Sequence, residues 1–333
     1  MPLYSPCSER YTKIGYRYCG NSGLQFPLIS LGLWQNFGDQ NPLSEQTKIL
    51  TTAFDTGITH FDLANNYGPP ADAAEINFGT IFKENFKSHR HELLISTKAG
   101  YYGWQGPYGD GGSRKYLLSS IERSLRHLQI DYVDLFYHHR PDPKTPLEET
   151  MKALDQIVRQ GKALYIGLSN YTGAQTLEAT TILKSLGTPC LIHQPIYNMF
   201  NRTLETDLLP VLRKTQIGCI PFCPLAQGLL TNRYLQGIPE NSRIGRGSIF
   251  LKQEQITPKL LLTIQKLNDL AKQRDQTVAQ MALSWILRLP EITSLLIGAS
   301  SVEQLIENSK SLNNLQFSEV ELNTIEKILT DNR

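Results

Sequence analysis

The residues best placed for chemistry are an acid, a phenol, an amine and an imidazole, found at or just beyond the ends of three successive apolar stretches. Asp62 ends the first stretch, Tyr67 follows it five positions later, and Lys98 and His139 stand where the next two stretches end. A free tyrosine has a pKa of about 10 and is a poor acid at neutral pH. A nearby Lys98 ammonium would lower the pKa of Tyr67, while Asp62 would keep the lysine charged. These residue types predict proton transfer at a carbonyl group, with His139 orienting the carbonyl oxygen.

A structural interpretation of the same residues stands beside the catalytic one. Asp62 and Lys98 could form one buried ion pair, and Tyr67 could be a surface residue. That interpretation would be preferred for any one residue, but the placement of all four at strand ends favours a functional site.

Histidines and cysteines elsewhere in the chain do not predict a metal site. His138 and His139 are adjacent on a strand, so their side chains face opposite sides and cannot bind one metal together. We expect His139, next to the strand exit, to be functional, and His193 to be a packed core residue. Cys219 and Cys223 lack a second pair of ligands at zinc spacing.

The elements that must position these residues alternate between strand and helix. Strands that are apolar on both faces, each followed by a helix, predict a parallel sheet covered by helices. Eight such units favour a closed (β/α)8 barrel, a TIM barrel, forming a single domain over residues 1–333. An open doubly wound sheet would need a Gly-x-Gly-x-x-Gly turn after its first strand, where this chain has none. The predicted strands are 28–34, 59–63, 93–98, 133–139, 163–169, 191–194, 218–223 and 294–298.

The predicted helices are 44–56, 73–85, 113–127, 146–160, 173–186, 205–215, 258–274, 277–289, 301–312 and the C-terminal 318–329. A β-hairpin with arms 11–19 and 24–27 precedes the barrel and resembles a lid or plug. The segments 100–112 and 225–257 are too long for simple barrel loops. Both follow strands, so we expect them on the C-terminal face, where they could clamp a ligand.

The eighth unit predicts an anion site. A Gly-Ala-Ser turn leads from the last strand directly into a helix, and a helix N-terminus attracts negative charge. Arginines in the preceding long loop could add positive charge. The residues concerned are Gly298, Ser300, Gln304, Glu307 and Asn308, with Arg233, Arg243 and Arg246 in the loop.

Composition excludes several classes of protein. The chain has 333 residues, is 40% hydrophobic and carries a net charge of +2, which gives no reason to expect a nucleic acid partner. It contains no apolar run long enough to predict membrane insertion. Its five cysteines are scattered and odd in number, as expected for reduced thiols. We predict a soluble cytoplasmic protein.

The motifs resemble those of the aldo-keto reductases over nearly the whole chain. They include Leu-Gly-Leu-Trp at 31–34, Phe-Asp-Leu-Ala-Asn-Asn-Tyr-Gly at 61–68, Ser-Thr-Lys at 96–98 and His-His-Arg-Pro-Asp at 138–142. Gly-Pro-Tyr-Gly at 106–109 and Pro-Leu-Ala-Gln-Gly-Leu-Leu at 224–230 are similar to the bacterial L-glyceraldehyde 3-phosphate reductase branch, relatives of the potassium-channel β subunits.

The resemblance implies NADPH bound without a Rossmann domain, and a catalytic tetrad with Tyr67 as the proton donor. The tetrad would be Asp62, Tyr67, Lys98 and His139, the first two also contacting the cofactor. Further cofactor residues would be Trp34 at the active-site border, Ser169, Asn170 and Gln194 at the carboxamide, Phe222 and Cys223 at the nicotinamide, Leu225, Gln227, Arg233 and Arg243 along the pyrophosphate, and Gly298, Ser300, Gln304, Glu307 and Asn308 at the adenosine end.

The predicted function is NADPH-dependent reduction of small aldehydes, such as L-glyceraldehyde 3-phosphate and methylglyoxal, by a homo-oligomer. Three residues depart from those usual in the branch, which leaves substrate and cofactor preference open: His138, Pro221 and Arg233. A nicotinamide-binding regulatory subunit is the alternative from another class. A phosphate-using barrel isomerase is a third, but it would leave Lys98 unexplained.

Overall fold

A computed structural model describes residues 4–240, 242–245, 247 and 250–330. Its first two strands form an antiparallel hairpin, and the other eight form one parallel sheet in the order β10-β3-β4-β5-β6-β7-β8-β9. The strands are β1 Tyr16–Tyr18, β2 Gln25–Pro27, β3 Ile29–Gly32, β4 His60–Asp62, β5 Leu94–Ala99, β6 Val133–His138, β7 Ala163–Ser169, β8 Cys190–Gln194, β9 Gly218–Cys219 and β10 Leu295–Ile297.

Contacts between the last two strand segments close the sheet into a barrel. Cys219 bridges to Ile292 in parallel fashion. The backbone N–H of Thr293 donates to the carbonyl of Cys219 over 2.8 Å, and that of Leu296 donates to the carbonyl of Pro221 over 3.0 Å. The predicted (β/α)8 barrel is therefore confirmed.

Helices connect the parallel strands, as the alternating pattern predicted. Several begin at a side chain that accepts a backbone N–H, as Ser113 does for α3 and Thr172 for α5. They are α1 Leu43–Asp55, α2 Ala73–Ile81, α3 Arg114–Leu128, α4 Leu147–Arg159, α5 Gly173–Ser185, α6 Leu209–Thr215, α7 Pro258–Gln273, α8 Val278–Leu287, α9 Val302–Ser309 and the C-terminal α10 Glu319–Thr330.

Some predicted boundaries were wrong, for reasons of backbone chemistry. The strand predicted over 218–223 ends at Cys219, shortly before Pro221, which has no N–H for a sheet ladder. The helix predicted from 205 begins at Leu209, which places Pro210 in the first turn where its missing N–H is tolerated. Residues 82–86 form a π-helical turn after α2.

The hairpin plugs the N-terminal end of the barrel. Its first arm is shorter than predicted, because Arg10–Thr12 forms a 3₁₀ turn and β1 starts only at Tyr16. The Arg17 guanidinium donates to the carbonyls of Leu287 and Ile292 over 2.9 and 2.8 Å. Gly20, between the two hairpin strands, has φ +53°, and a Cβ there would lie 2.2 Å from the backbone oxygen of Gln216, in the loop before β9.

Both long loops follow strands, β5 and β9, and so lie at the C-terminal end of the barrel. Within the first, the Gly103 N–H donates to the Gly109 carbonyl over 2.8 Å. Asp110 forms an ion pair of 2.9 Å with Arg140, which ties this loop to the residue after His139. Among the described residues, no helix combines the length and the apolar character that a membrane crossing requires.

Candidate active site

Neighbouring strands bring the predicted catalytic residues to one end of the barrel. Asp62 is the last residue of β4, and Lys98 is the last but one of β5. His139 follows β6, and its N–H donates to the Ala99 carbonyl over 2.9 Å, so the register of β5 and β6 fixes its height. Tyr67 lies in the loop after β4 and is partly buried.

Asp62 and Lys98 form an ion pair whose side chains are both fully buried. The Lys98 ammonium donates to the Asp62 Oδ2, to the Leu63 carbonyl over 2.7 Å and to the Tyr67 hydroxyl over 3.4 Å. Three acceptors match the three N–H groups of an ammonium, which is what makes a buried charge tolerable. The lysine thus connects the carboxylate to the phenol.

The second oxygen of Asp62 is also held. The Ser96 hydroxyl donates to Oδ1 over 2.6 Å, and the Gln194 amide does so over 3.2 Å. Ser96 was not among the predicted site residues, although a residue two positions before Lys98 on a strand shares its face. Gln194 was predicted at the cofactor carboxamide, and its amide NH₂ contacts Asp62 in this structure.

His139 faces Tyr67, and His138 faces away. The rings of His139 and Tyr67 are 5.9 Å apart in an edge-on arrangement, and Tyr101 packs against His139 at 4.7 Å. The His138 ring lies 2.6 Å from the Tyr171 hydroxyl on the other side of the strand. His193 is fully buried, as predicted for a core residue.

The expected lowering of the Tyr67 pKa was wrong. Burial raises the pKa of Tyr67 well above its usual range, and the negative charge of Asp62 adds to the effect. Burial also disfavours the charged form of Lys98 and lowers its pKa, although the negative charge of Asp62 acts in the opposite direction. The Asp62 carboxylate offsets the charge of the Lys98 ammonium, so the ammonium stabilises a Tyr67 phenolate less than was predicted. Burial, then the charge of Lys98, lowers the pKa of His139 well below its usual range, so its imidazole is neutral.

Aromatic and cationic side chains form the rim of this site. The Trp34 ring lies 6.5 Å from that of Tyr67 and 4.9 Å from that of Phe250. The Arg243 guanidinium lies 5.5 Å from the Trp34 ring and donates to the Gln227 side-chain oxygen over 3.4 Å. The second long loop therefore reaches the active site.

The residues predicted at the nicotinamide lie at or just beyond the C-terminal ends of β7, β8 and β9. The Asn170 amide donates to the His139 carbonyl over 3.0 Å and to the Ser169 hydroxyl over 3.1 Å, from a backbone with φ +61°. Phe222 and Cys223 follow β9, and Cys223 also has a positive φ, of 54°. Leu225 is partly buried against the core.

The residues predicted at the adenosine end include two that are exposed, Gly298 and Ser300, and one buried amide whose nitrogen has no described partner. Gly298 is exposed, and a Cβ added there would meet nothing within 4 Å. The N–H and hydroxyl of Ser300 both donate to the Gln304 side chain over 2.9 Å. Glu307 accepts a hydrogen bond of 2.8 Å from a glutamine of α8. Asn308 is 3% exposed, and its amide nitrogen has no partner among the described residues.

Two arginines predicted near the phosphates remain outside this set. Arg233 is exposed, and Arg246 lies outside the described residues. The exposed Gly298 and the N-terminus of α9 suit an anionic group, and the unpartnered Asn308 amide further along α9 is a donor that a ligand could satisfy. The residues present therefore fit a nicotinamide dinucleotide.

A second polar cluster lies behind Lys98 on the helix side of β5. The Thr97 hydroxyl donates to Glu75, and the His127 ring lies 3.6 Å from the carboxylates of both Glu75 and Asp72. These are metal-ligand types, but the Arg123 guanidinium occupies both oxygens of Asp72. We assign the cluster as an ion-pair network between α2, α3 and β5.

Comparison with known proteins agrees with this geometry. Residues 28–330 match the model of the Aldo/keto reductase family. The chain is 53% identical over 329 residues to the L-glyceraldehyde 3-phosphate reductases of Escherichia coli K12 and O157:H7, an alignment that covers 97% of this chain and 94% of each relative. Proteins of this family are oxidoreductases that use nicotinamide cofactors. The chain belongs to the aldo/keto reductase family.

Proposed function

We propose that this protein is an NADPH-dependent reductase of small aldehydes in which Tyr67 is the proton donor. The observation that carries the proposal is the hydrogen bond of 3.4 Å from the Lys98 ammonium to the Tyr67 hydroxyl. This hydrogen bond connects the Asp62–Lys98 ion pair to the Tyr67 hydroxyl, which is the group that we assign to protonate a bound aldehyde.

The chemistry divides between cofactor and protein. A bound nicotinamide would supply the hydride that reduces the carbonyl carbon. The Tyr67 hydroxyl gives its proton to the carbonyl oxygen, and Lys98 stabilises the phenolate that remains until solvent reprotonates it. Since Asp62 holds the ammonium in place from the opposite side, the charge needs no reorganisation during the step.

His139 would orient the aldehyde. A neutral imidazole can donate one N–H to the carbonyl oxygen without competing with Tyr67 for the proton. Its ring is bordered by Tyr67 on one side and by Tyr101 on the other. We assign His139 to orientation rather than to acid catalysis for this reason.

A phosphorylated substrate is supported by the names of the two Escherichia coli relatives, which give L-glyceraldehyde 3-phosphate as the substrate. A cation also lies near the site, since the Arg140 guanidinium is 4.8 Å from the Tyr101 ring, which itself packs on His139. Asp110 pairs with this guanidinium at 2.9 Å, so a substrate phosphate would compete with that carboxylate for Arg140. Methylglyoxal, which has no phosphate, is the proposed second substrate.

The first test is the loss of NADPH absorbance with L-glyceraldehyde 3-phosphate, L-glyceraldehyde and methylglyoxal, with NADH in parallel. We expect turnover with the phosphorylated aldehyde and a lower KM for NADPH than for NADH. Tyr67→Phe should lower kcat by about 10²-fold or more, since a positioned general acid contributes on that scale. Binding of NADPH, followed by fluorescence, should stay within about twofold of the unmodified protein.

Two outcomes would contradict the proposal. Tight NADPH binding without turnover on any aldehyde would favour the regulatory-subunit alternative. Loss of NADPH binding in Tyr67→Phe, with kcat retained, would contradict the role of the phenol. We further propose a cytoplasmic homo-oligomer, which light scattering of the purified protein would test.

A further inference from the structure

A row of four polar side chains crosses the interior of the barrel beneath the active site. Ser294 precedes β10, Ser30 lies on β3, His60 on β4 and Ser96 on β5, and all four are fully buried. The Ser294 and Ser30 hydroxyls are 2.7 Å apart, and Ser30 lies 2.9 Å from the His60 Nδ1. The His60 Nε2 lies 2.9 Å from the Ser96 hydroxyl, which donates to Asp62. We call these four residues the serine–histidine chain.

We propose that His60 is a positioning residue of the active site, which as the neutral Nε2–H tautomer turns the Ser96 hydroxyl onto Asp62 and so fixes that carboxylate against Lys98. The inference rests on the proposed function, in which Lys98 and Tyr67 carry the proton transfer. It adds a residue that touches neither aldehyde nor cofactor.

The direction of every hydrogen bond in the chain follows from its two ends. An ionised Asp62 can only accept, so the single proton of Ser96 is used there. The His60 Nε2 must therefore carry the hydrogen that it shares with Ser96. If the ring is neutral, its Nδ1 accepts from Ser30, which leaves Ser294 to donate to Ser30. All four donors then point toward Asp62.

The surroundings of His60 favour the neutral ring. Burial lowers the pKa of His60 to about 4; Asp62 opposes this effect and Lys98 adds to it. Those are the two charged groups acting on the ring, one on its own strand and one on β5. The residues that touch it from β3 and β5, Ser30 and Ser96, are neutral, and the Phe26 ring of the plug covers it at 4.9 Å.

The consequence for the active site is orientational. Asp62 divides its two oxygens between Ser96 and Gln194 on one side and Lys98 on the other. Without a donor at His60, the Ser96 hydroxyl is free to rotate away, and the carboxylate loses its shortest neutral contact. The Lys98 ammonium would then be held less firmly toward Tyr67, which should slow proton transfer but leave substrate contacts unchanged.

The tautomer can be measured without any turnover. In protein labelled with ¹⁵N-histidine, long-range proton–nitrogen correlation spectra should show His60 with a protonated Nε2 and a bare Nδ1 from about pH 6 to pH 8. A protonated Nδ1, or a charged ring in that range, would overturn the proposal. Because this readout needs no substrate, it remains informative even if no aldehyde is reduced and the proposed function fails.

The positioning role is tested by His60→Leu and Ser96→Ala, with His60→Gln as the conservative variant. The first two should lower kcat about tenfold, the scale on which supporting hydrogen bonds act at metal ligands, with KM for the aldehyde and NADPH affinity within about twofold. Weaker support of the phenolate should also move the alkaline limb of the kcat profile to higher pH. The Gln variant, which keeps a donor near Nε2, should recover most of the loss.

His193→Leu is the matched control, because His193 is also fully buried but lies on β8, outside the serine–histidine chain. It should leave kcat and its pH profile unchanged. If His60→Leu folds, as judged by near-ultraviolet circular dichroism, and keeps the original kcat and profile, the inference is wrong. Equal losses in the Leu and Gln variants would also overturn it. Should His60→Leu fail to fold, Ser96→Ala decides the same question.

Discussion

Buried imidazoles should make this protein sensitive to mild acid. Burial lowers the pKa of His60 and of His138 to about 4 and that of His193 to about 3. The unfolded chain returns each ring to a pKa of about 6.5 and so binds more protons than the folded chain below that value. The linked stability is therefore complete above about pH 6.5 and is lost as the pH falls toward 4.

The magnitude follows from the linkage relation. At about pH 5, each of these three rings is neutral in the folded chain and mostly charged in the unfolded one, which lowers the free energy of unfolding by about 2 kcal/mol per ring. The three together lower it by about 6 kcal/mol, a large part of the 5–15 kcal/mol that domains typically possess. His139, whose pKa burial also lowers, acts in the same direction. We expect the protein to approach its unfolding midpoint near pH 5.

Carboxylates whose pKa is lowered should contribute little in this window. Against the cost of burial, hydrogen bonds from three neighbours lower the pKa of Glu92 to about 2. A depressed carboxylate pKa stabilises above the unfolded value of about 4.3, and that stability is lost only at lower pH. Burial raises the pKa of Asp134, so this carboxyl opposes the imidazoles as the pH falls. A comparison of two proteins that both keep Asp134 cancels its contribution.

The assay is urea unfolding followed by tryptophan fluorescence at about pH 7.5 and about pH 5, for the original chain and for His193→Leu. Between about pH 7.5 and pH 5, the free energy of unfolding should fall by about 2 kcal/mol less in the variant than in the original chain, since one proton-linked group has been removed. Any packing cost of leucine is the same at both pH values and cancels. His91→Gln is the control, because the His91 side chain is 78% exposed and lies 3.9 Å from its charged neighbour Glu92; it should change the difference much less than His193→Leu does. Equal pH dependence in His193→Leu and the original chain would refute the reasoning.

Three further predictions concern charges. Lys98→Met should lower the free energy of unfolding by about 3–5 kcal/mol, because it leaves the Asp62 carboxylate buried without its partner; adding Asp62→Asn should recover much of this loss in urea unfolding, and an unchanged midpoint in Lys98→Met would contradict it. Arg243→Met should weaken NADPH binding about tenfold, as loss of a charged hydrogen bond does. Arg213 is exposed, so Arg213→Met is the control and should leave the affinity unchanged. If fluorescence titration gives Arg243→Met the same NADPH affinity as the original chain, Arg243 is not part of the cofactor site. Glu92→Gln should lower stability by about 1 kcal/mol through weaker hydrogen bonds, and an unchanged urea midpoint would argue against it.

The sequence predicted the placement of the tetrad because barrel topology translates directly into position. Residues at the C-terminal ends of successive parallel strands must meet at one end of the barrel, whatever the rest of the chain does. Asp62 and Lys98 are such residues, and side-chain alternation also predicted that His138 and His139 would face opposite sides. These inferences needed only the period of the strand and the order of the elements.

Electrostatic inferences fared worse, because they depend on burial and on competing partners. The sequence indicated that Lys98 is near Tyr67, but not that Asp62 takes most of its charge or that the phenol loses its solvent. Both effects raise the pKa of Tyr67, which reversed the sign of the prediction. The serine–histidine chain was not predicted from the sequence for a similar reason. Side-chain alternation shows that His60 and Asp62 share a face of β4, but it does not show which atoms come within 2.9 Å of each other.

The buried ion pair is better explained by chemistry than by stability. Two apolar residues of similar volume would often serve the barrel interior as well or better, since charges lose their hydration when they are buried. Around Asp62 the chain instead provides Lys98, Ser96 and Gln194, and behind Ser96 it provides His60, each with a defined donor. So much polar support for one carboxylate is costly, because each buried polar group gives up its hydration. It is intelligible if that carboxylate must keep an ammonium at a fixed distance from a phenol.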